Sequence, residues 1–112
     1  MWMGSSLSDL RSSPKSAKVI VGQALMYAQG GEKHPSAKPK KGKLREVAEI
    51  RADAEGQAFR TLYLAHVGSS VYVLHAFNKK STRGSEIPKR DMATILVRLR
   101  AARDHYENER KR

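Results

Sequence analysis

The stretch "AFRTLYLAHVGSSVYVLHAFNKK", Ala58–Lys80, decides the fold. Two runs rich in β-branched and aromatic residues, Ala58–Val67 and Val71–Phe77, flank "GSS". Such side chains suit the pleated, half-buried surface of a sheet, and Gly and Ser suit a tight turn. The pattern predicts a β-hairpin. With the turn centred on Gly68-Ser69, Leu62 falls opposite His75 and Arg60 opposite Phe77. Alternation then places Arg60, Leu62, Leu64, His75, Phe77 and Lys79 on one face. The other face holds Phe59, Thr61, Tyr63, Ala65, Tyr72, Leu74 and Ala76. That second face is almost entirely apolar or aromatic, so it is expected to receive the helices. The register depends on the loop length, because a slip of one residue exchanges the faces.

Working outward, "DAEGQ" supplies a turn before the hairpin, and "LREVAEIRA", Leu44–Ala52, reads as a third strand. Upstream, Met1–Met3 reads as the end of an edge strand. Ser6 and Asp9 form a loose capping pattern that starts a short helix presenting Leu7 and Leu10. Ser13 as N-cap and Pro14 as first helical residue restart the helix. Ala17, Ile20, Val21, Ala24, Leu25 and Ala28 then recur at helical spacing until Gly30-Gly31. "GGEKHPSAKPKKGK" reads as a loop carrying Lys33, Lys38, Lys40, Lys41 and Lys43. After Pro88, the residues Met92, Ile95, Leu96, Leu99, Ala102 and Tyr106 form a helical stripe. The predicted class is α+β: a small antiparallel sheet with an N-terminal helical hairpin and a C-terminal helix, the helices on one face. Residues 1–106 form one domain in this reading, and "ENERKR", 107–112, a charged tail.

The chain has 112 residues, 39% of them hydrophobic, enough for one modest core. Its 22 Lys and Arg against 11 Asp and Glu give a net charge of +11. Such an excess predicts attraction to polyanions: nucleic acid first, then a membrane surface or an acidic protein. There is no cysteine, which excludes disulfides and thiolate metal sites. No apolar run approaches membrane-spanning length, and "MWMGSSLSDL" lacks the pattern of a signal peptide. The expectation is a cytoplasmic protein.

Arg60 lies mid-strand between apolar residues, where an arginine should meet an anion. Two readings stay open: a site for a bound anion, or an ion pair to Glu46, Glu49 or Asp53. His75 is either a reacting group or a hydrogen-bonded core histidine. The four histidines, His34, His66, His75 and His105, lack metal-ligand spacing, and no cofactor motif is present. Metal-free RNA cleavage fits the composition of the hairpin face better. There a 2′-hydroxyl attacks the adjacent phosphate, cations hold the developing charge, and an acid and a base move protons. Lys80, Arg83, Lys89 and Arg90 fall at the strand-to-helix corner, where they would grip and steer a polyanion.

At "FRTLYL", "VYVLHAFNKKS" and "PKRD" the sequence resembles the RelE/HigB-type toxins of bacterial type II toxin–antitoxin modules, in their phage-derived, HigB-like branch. "GSSLSDLRSSP" and "GGEKHPSAKPKKG" are similar to that group as well, so the resemblance spans roughly residues 2–106. It implies a RelE/ParE-like fold and a ribosome-dependent mRNA endonuclease that arrests translation. It also implies neutralisation by a cognate helix-turn-helix antitoxin in a hetero-oligomer. By match to the motifs, Arg60 would stabilise phosphate charge, Lys79 and Lys80 would grip or polarise the phosphate, and His75 would be an acid or base. Lys38, Lys40, Lys41, Lys43, Phe77, Arg83, Lys89 and Arg90 would contact RNA. The chain lacks the terminal tyrosine of the RelE archetype. Two alternatives share these features: a ParE-like gyrase inhibitor without nuclease activity, and a non-catalytic RNA-binding module. Fold alone does not separate them.

Overall fold

The computed structural model describes residues 1–66, 70–79 and 86–111. Its elements are α1 (Ser6–Arg11), α2 (Lys15–Gln29), β1 (Ala37–Pro39), a 3-10 turn (Gly42–Leu44), β2 (Val47–Ala54), β3 (Gln57–Ala65), β4 (Val71–Lys79) and α3 (Lys89–Arg110). The four strands form one antiparallel sheet in sequential order. The architecture is the α+β class that the element order predicts.

Local chemistry explains most boundaries. Both long helices start directly after a proline, Pro14 and Pro88, with φ −57° and extended ψ. Each proline carbonyl accepts the first helical bond, from Lys18 and Met92. Pro14 is therefore the cap itself rather than Ser13, and the helix starts at Lys15, one residue after the expected start. At α1, Ser5 rather than Ser6 meets the Asp9 side chain, while buried Ser6 donates its hydroxyl to Val73 O. Gly31, at φ +81°, ends α2 and lets Glu32 N–H reach back to Tyr27 O. Glu55 and Gly56 both take positive φ between the paired Ala54 and Gln57, the geometry of a tight hairpin. The Gly68-Ser69 turn lies outside the described residues.

One expected loop contains a strand. β1 pairs Ala37, Lys38 and Pro39 with Ile50, Glu49 and Ala48. A three-residue strand ending in proline leaves too little alternation to be read from sequence. Its outward edge is blunted, because Ala37 N–H donates to His34 O and Pro39 has no N–H. At the opposite edge Met1–Met3 lies along β4, with Val73 N–H donating to Met1 O and Met3 N–H to Val73 O.

The expected pairs Leu62↔His75 and Arg60↔Phe77 are present, but the register shifts at Leu62/Tyr63. Leu62 pairs with His75 and Tyr63 with Val73, so Leu74 is an extra residue on β4. This bulge turns Tyr72 and Leu74 to the face opposite the one expected, where they pack with Leu62 and Leu64. The helices consequently do not share a face. α2 sits on one side, its Ala17, Val21, Ala24 and Ala28 against Ala48, Ile50, Ala52, Tyr63 and Ala76. α3 sits on the other, its Ile95, Leu99 and Ala102 against Leu62, Leu64, Tyr72 and Leu74. The sheet is sandwiched because the bulge makes both of its faces apolar where β3 meets the start of β4. α3 also runs through Arg110, into the segment expected as a tail.

The two layers should respond differently to substitution. The α2 layer is lined with alanine, and Ala24 is fully buried. Ala24→Leu is expected to overpack it and cost about 1–3 kcal/mol. Ile95, also fully buried, fills the α3 layer, and Ile95→Ala should cost about 2–5 kcal/mol through the cavity it leaves. Urea unfolding of both variants, with m-values compared, checks these figures.

Candidate functional site

The α3 face of the sheet is only partly covered. Beyond the apolar end, Glu49, Arg51 and Asp53 of β2 share this face with Arg60 of β3 and with His75, Phe77 and Lys79 of β4. β1 adds Lys38, the partner of Glu49, and Lys40 follows in the same alternation. The lysine-rich segment thus belongs to the same surface as the hairpin cations. Four strands at ordinary spacing span about 14 Å, so the surface is wide enough for an extended chain to cross.

Its centre is a buried acid. Glu49 is 2% exposed and takes Arg51 Nε at 2.9 Å and Lys40 Nζ at 3.7 Å. Arg60 is Arg51's direct partner across β2 and β3. Its Nη1 donates to Asp53 Oδ1 at 3.0 Å and to Phe59 O at 2.9 Å. The ion-pair reading of Arg60 is therefore present with Asp53 as partner, yet that carboxylate is 76% exposed. Burial lowers the Lys79 ammonium below the ordinary lysine range; the Arg60 charge adds to this, Glu49 opposes it, and Arg51 and Lys40 reinforce it.

His75 is nearly buried and held at both nitrogens. Nε2 lies 2.8 Å from Asp91 Oδ1, and Arg98 Nη1 lies 3.2 Å from Nδ1. Arginine can only donate, so Nδ1 accepts and Nε2 carries the hydrogen towards Asp91. The ring also stacks on Phe77, with centroids 5.3 Å apart and planes at 20°. Arg98 further donates to Leu74 O at 3.0 Å and to Ser5 Oγ at 3.2 Å.

The structure therefore brings together Arg60, His75, Phe77, Lys79, Lys38 and Lys40. Lys89 and Arg90 are exposed at the start of α3, next to Asp91. Lys41 and Lys43 are exposed around the 3-10 turn and form no ion pair among the described residues. Lys80 and Arg83 lie outside the described residues. Sequence reasoning missed Arg51, Asp91 and Arg98 as members of this surface, and weighed Glu49 only as a partner for Arg60. The period-two pattern of Glu49, Arg51 and Asp53 between Ala48, Ile50 and Ala52 is the signal that could have found the β2 set. Among the described residues, no three His, Asp or Glu side chains stand close enough to hold a metal ion. No helix among them is long and apolar enough to cross a membrane.

The four-stranded antiparallel sheet with its N-terminal and C-terminal helices is compatible with a RelE-like fold. A family model described as phage derived protein Gp49-like (DUF891) matches residues 8–100. The chain belongs to that phage-derived family, a family of RelE-like toxins. Membership points to an antitoxin as a partner. No curated protein and no solved structure matches the chain.

The lowered Lys79 ammonium gives a signed prediction. A base whose proton is released more easily in the folded chain lowers stability while it is charged. That cost is relieved as pH rises from the lowered folded value to the ordinary value of 10.5. In urea unfolding, wild type should gain stability relative to Lys79→Met between pH 7 and about pH 10. A constant difference over that range would contradict the assignment.

Proposed function

We propose that this protein is the toxin of a type II toxin–antitoxin module and cleaves mRNA on the ribosome by metal-free phosphodiester chemistry. The observation that carries this reading is the convergence of Arg60, Lys79 and Phe77 beside a fixed His75 on the uncovered half of one sheet face. Arg60 supplies charge to the phosphate. Among the described residues its Nε and Nη2 have no hydrogen-bond partner, and its one carboxylate partner is exposed and exchangeable. Lys79 is the group on this face whose proton is loosened, which suits a donor to the leaving oxygen or a base for the attacking hydroxyl. Lys80, the next residue, joins it as a phosphate contact. Phe77 offers a ring face for an unstacked base. His75 works through place: with both nitrogens engaged, it holds Phe77 and meets substrate only if the bond to Asp91 or Arg98 opens. Lys38, Lys40, Lys41, Lys43, Lys89 and Arg90 extend the cationic track along which RNA is gripped, and Arg83, outside the described residues, is proposed as a further RNA contact from its place in the sequence. The helix-turn-helix antitoxin neutralises the toxin in a hetero-oligomer formed in the cytoplasm, with acidic groups over this face.

The engagement of His75 favours one second reading: binding of RNA without cleavage, since among the described residues of this face the one imidazole is held at both nitrogens. Primer extension on a translated message after induced expression separates the two. Discrete cuts within codons are expected. An intact message together with DNA-supercoiling defects would instead indicate a gyrase-directed toxin. Arg60→Ala and Lys79→Ala should each abolish growth arrest and lower cleavage by about 10²–10⁴-fold, the range for a lost electrostatic or acid–base contribution. Circular dichroism should show both variants folded.

A further inference from the structure

Arg51 and Arg60 stand directly opposite each other on β2 and β3. Directly opposed side chains on one face have Cβ atoms about 4.5–5.5 Å apart, and like charges there repel. Two more cations, Lys40 and Lys79, belong to the same surface. A sheet would not assemble this by packing preference. The cost is contained by giving each arginine its own carboxylate from β2: Glu49 for Arg51 and Asp53 for Arg60.

The two pairs differ in a telling way. Glu49 is buried and binds Arg51 through Nε alone, at 2.9 Å. The Arg51 side chain is 40% exposed, and among the described residues neither of its Nη groups has a hydrogen-bond partner. A guanidinium tethered at Nε by a fixed acid is set in orientation. Its remaining N–H groups can then meet two oxygens of one phosphate. Arg60 is tethered the other way, by Nη1, leaving Nε and Nη2.

We propose that Arg51 is a substrate-contacting residue that clamps an RNA phosphate together with Arg60, and that Glu49 is the positioning residue that orients it. The proposal rests on the RNA-directed reading above and adds to it a residue and a binding geometry. The clamp would take one phosphodiester of a single strand crossing the sheet. Phe77 is the direct partner of Arg60 on β4 and lies on the same face, beside the clamp.

The test uses purified full-length protein and a fluorescent single-stranded 2′-O-methyl oligoribonucleotide, which lacks the attacking hydroxyl and cannot be cut. Affinity is measured by anisotropy over a range of salt. Arg51→Ala should weaken binding by roughly tenfold at low salt and lower the salt slope by about 0.7, the value for one phosphate contact on a single strand. Arg51→Lys should keep the slope but recover only part of the affinity, because an ammonium lacks the planar fork. Glu49→Gln should weaken binding in the wild-type background and have little effect in the Arg51→Ala background. A loss of fold alone would act equally in both. Unchanged affinity and slope in Arg51→Ala overturns the clamp, as does a wild type that does not bind the oligonucleotide. Cleavage is scored separately by primer extension. Binding with the expected Arg51 dependence but without cuts would uphold the clamp and refute the nuclease reading.

Discussion

A carboxylate in the middle of a cationic sheet face is the constraint on which the site depends. Glu49 is 2% exposed, and Lys40 and Arg51 reach it from neighbouring positions in the sheet. Without it, Lys40, Arg51 and Arg60 would face one another without the one buried carboxylate among the described residues. Strand pairing delivers the acid to this place. β1 pairs with β2 through Lys38↔Glu49, and β2 with β3 through Glu49↔Leu62. Glu49 therefore sits where the apolar half of the face meets the charged half. Its own side is covered by neighbours, while the Arg51 side chain beside it is 40% exposed and that of Arg60 12%.

The second constraint is the bulge at Leu74, which sets what the rest of β4 presents. Before the bulge, Tyr72 and Leu74 feed the α3 layer; after it, His75, Phe77 and Lys79 continue the same face towards solvent. An uninterrupted strand would send one of these sets to the α2 side. Bulges interrupt a ladder and leave a carbonyl to satisfy, and Arg98 from α3 does so at Leu74 O while its other contacts reach His75 and Ser5. One guanidinium thus joins the bulge, the helix, the histidine and the segment before α1. This is why a residue on α3, with no place in the hairpin pattern, belongs to the geometry of the site.

Much of this was legible in the sequence, and the missing parts have physical causes. The apolar stripes of α2 and α3, the turn at Glu55-Gly56 and the outer half of the β3–β4 register follow from periodicity and turn chemistry. Arg60, His75, Phe77 and Lys79 were accordingly assigned to one face correctly. The bulge was not legible, because one extra residue leaves no mark in an alternating run of Val, Tyr and Leu. Its omission produced the wrong placement of Tyr72 and Leu74, and with them the expectation that all helices share a face. β1 was hidden in a lysine- and proline-rich segment that composition assigns to a loop. The His75 environment was hidden by distance, since Asp91 and Arg98 come from a helix 16 and 23 residues further along the chain.

Stability and chemistry make opposite demands on the same side chains here. A core-forming sheet would fill the outer half of this face with apolar residues and extend α3 over it. Instead the stripe of α3 turns from Ile95, Leu99 and Ala102 to Asp91 and Arg98 at the point where the charged half begins. Lys79 is held where burial and neighbouring cations loosen its proton, a condition that lowers the stability of the folded chain at neutral pH. Arg60 is held by the exposed Asp53 rather than by the buried Glu49, which leaves it the more readily released of the two arginines. Lys40, Arg51, Arg60 and Lys79 gathered about the buried Glu49 are an arrangement suited to an external anion.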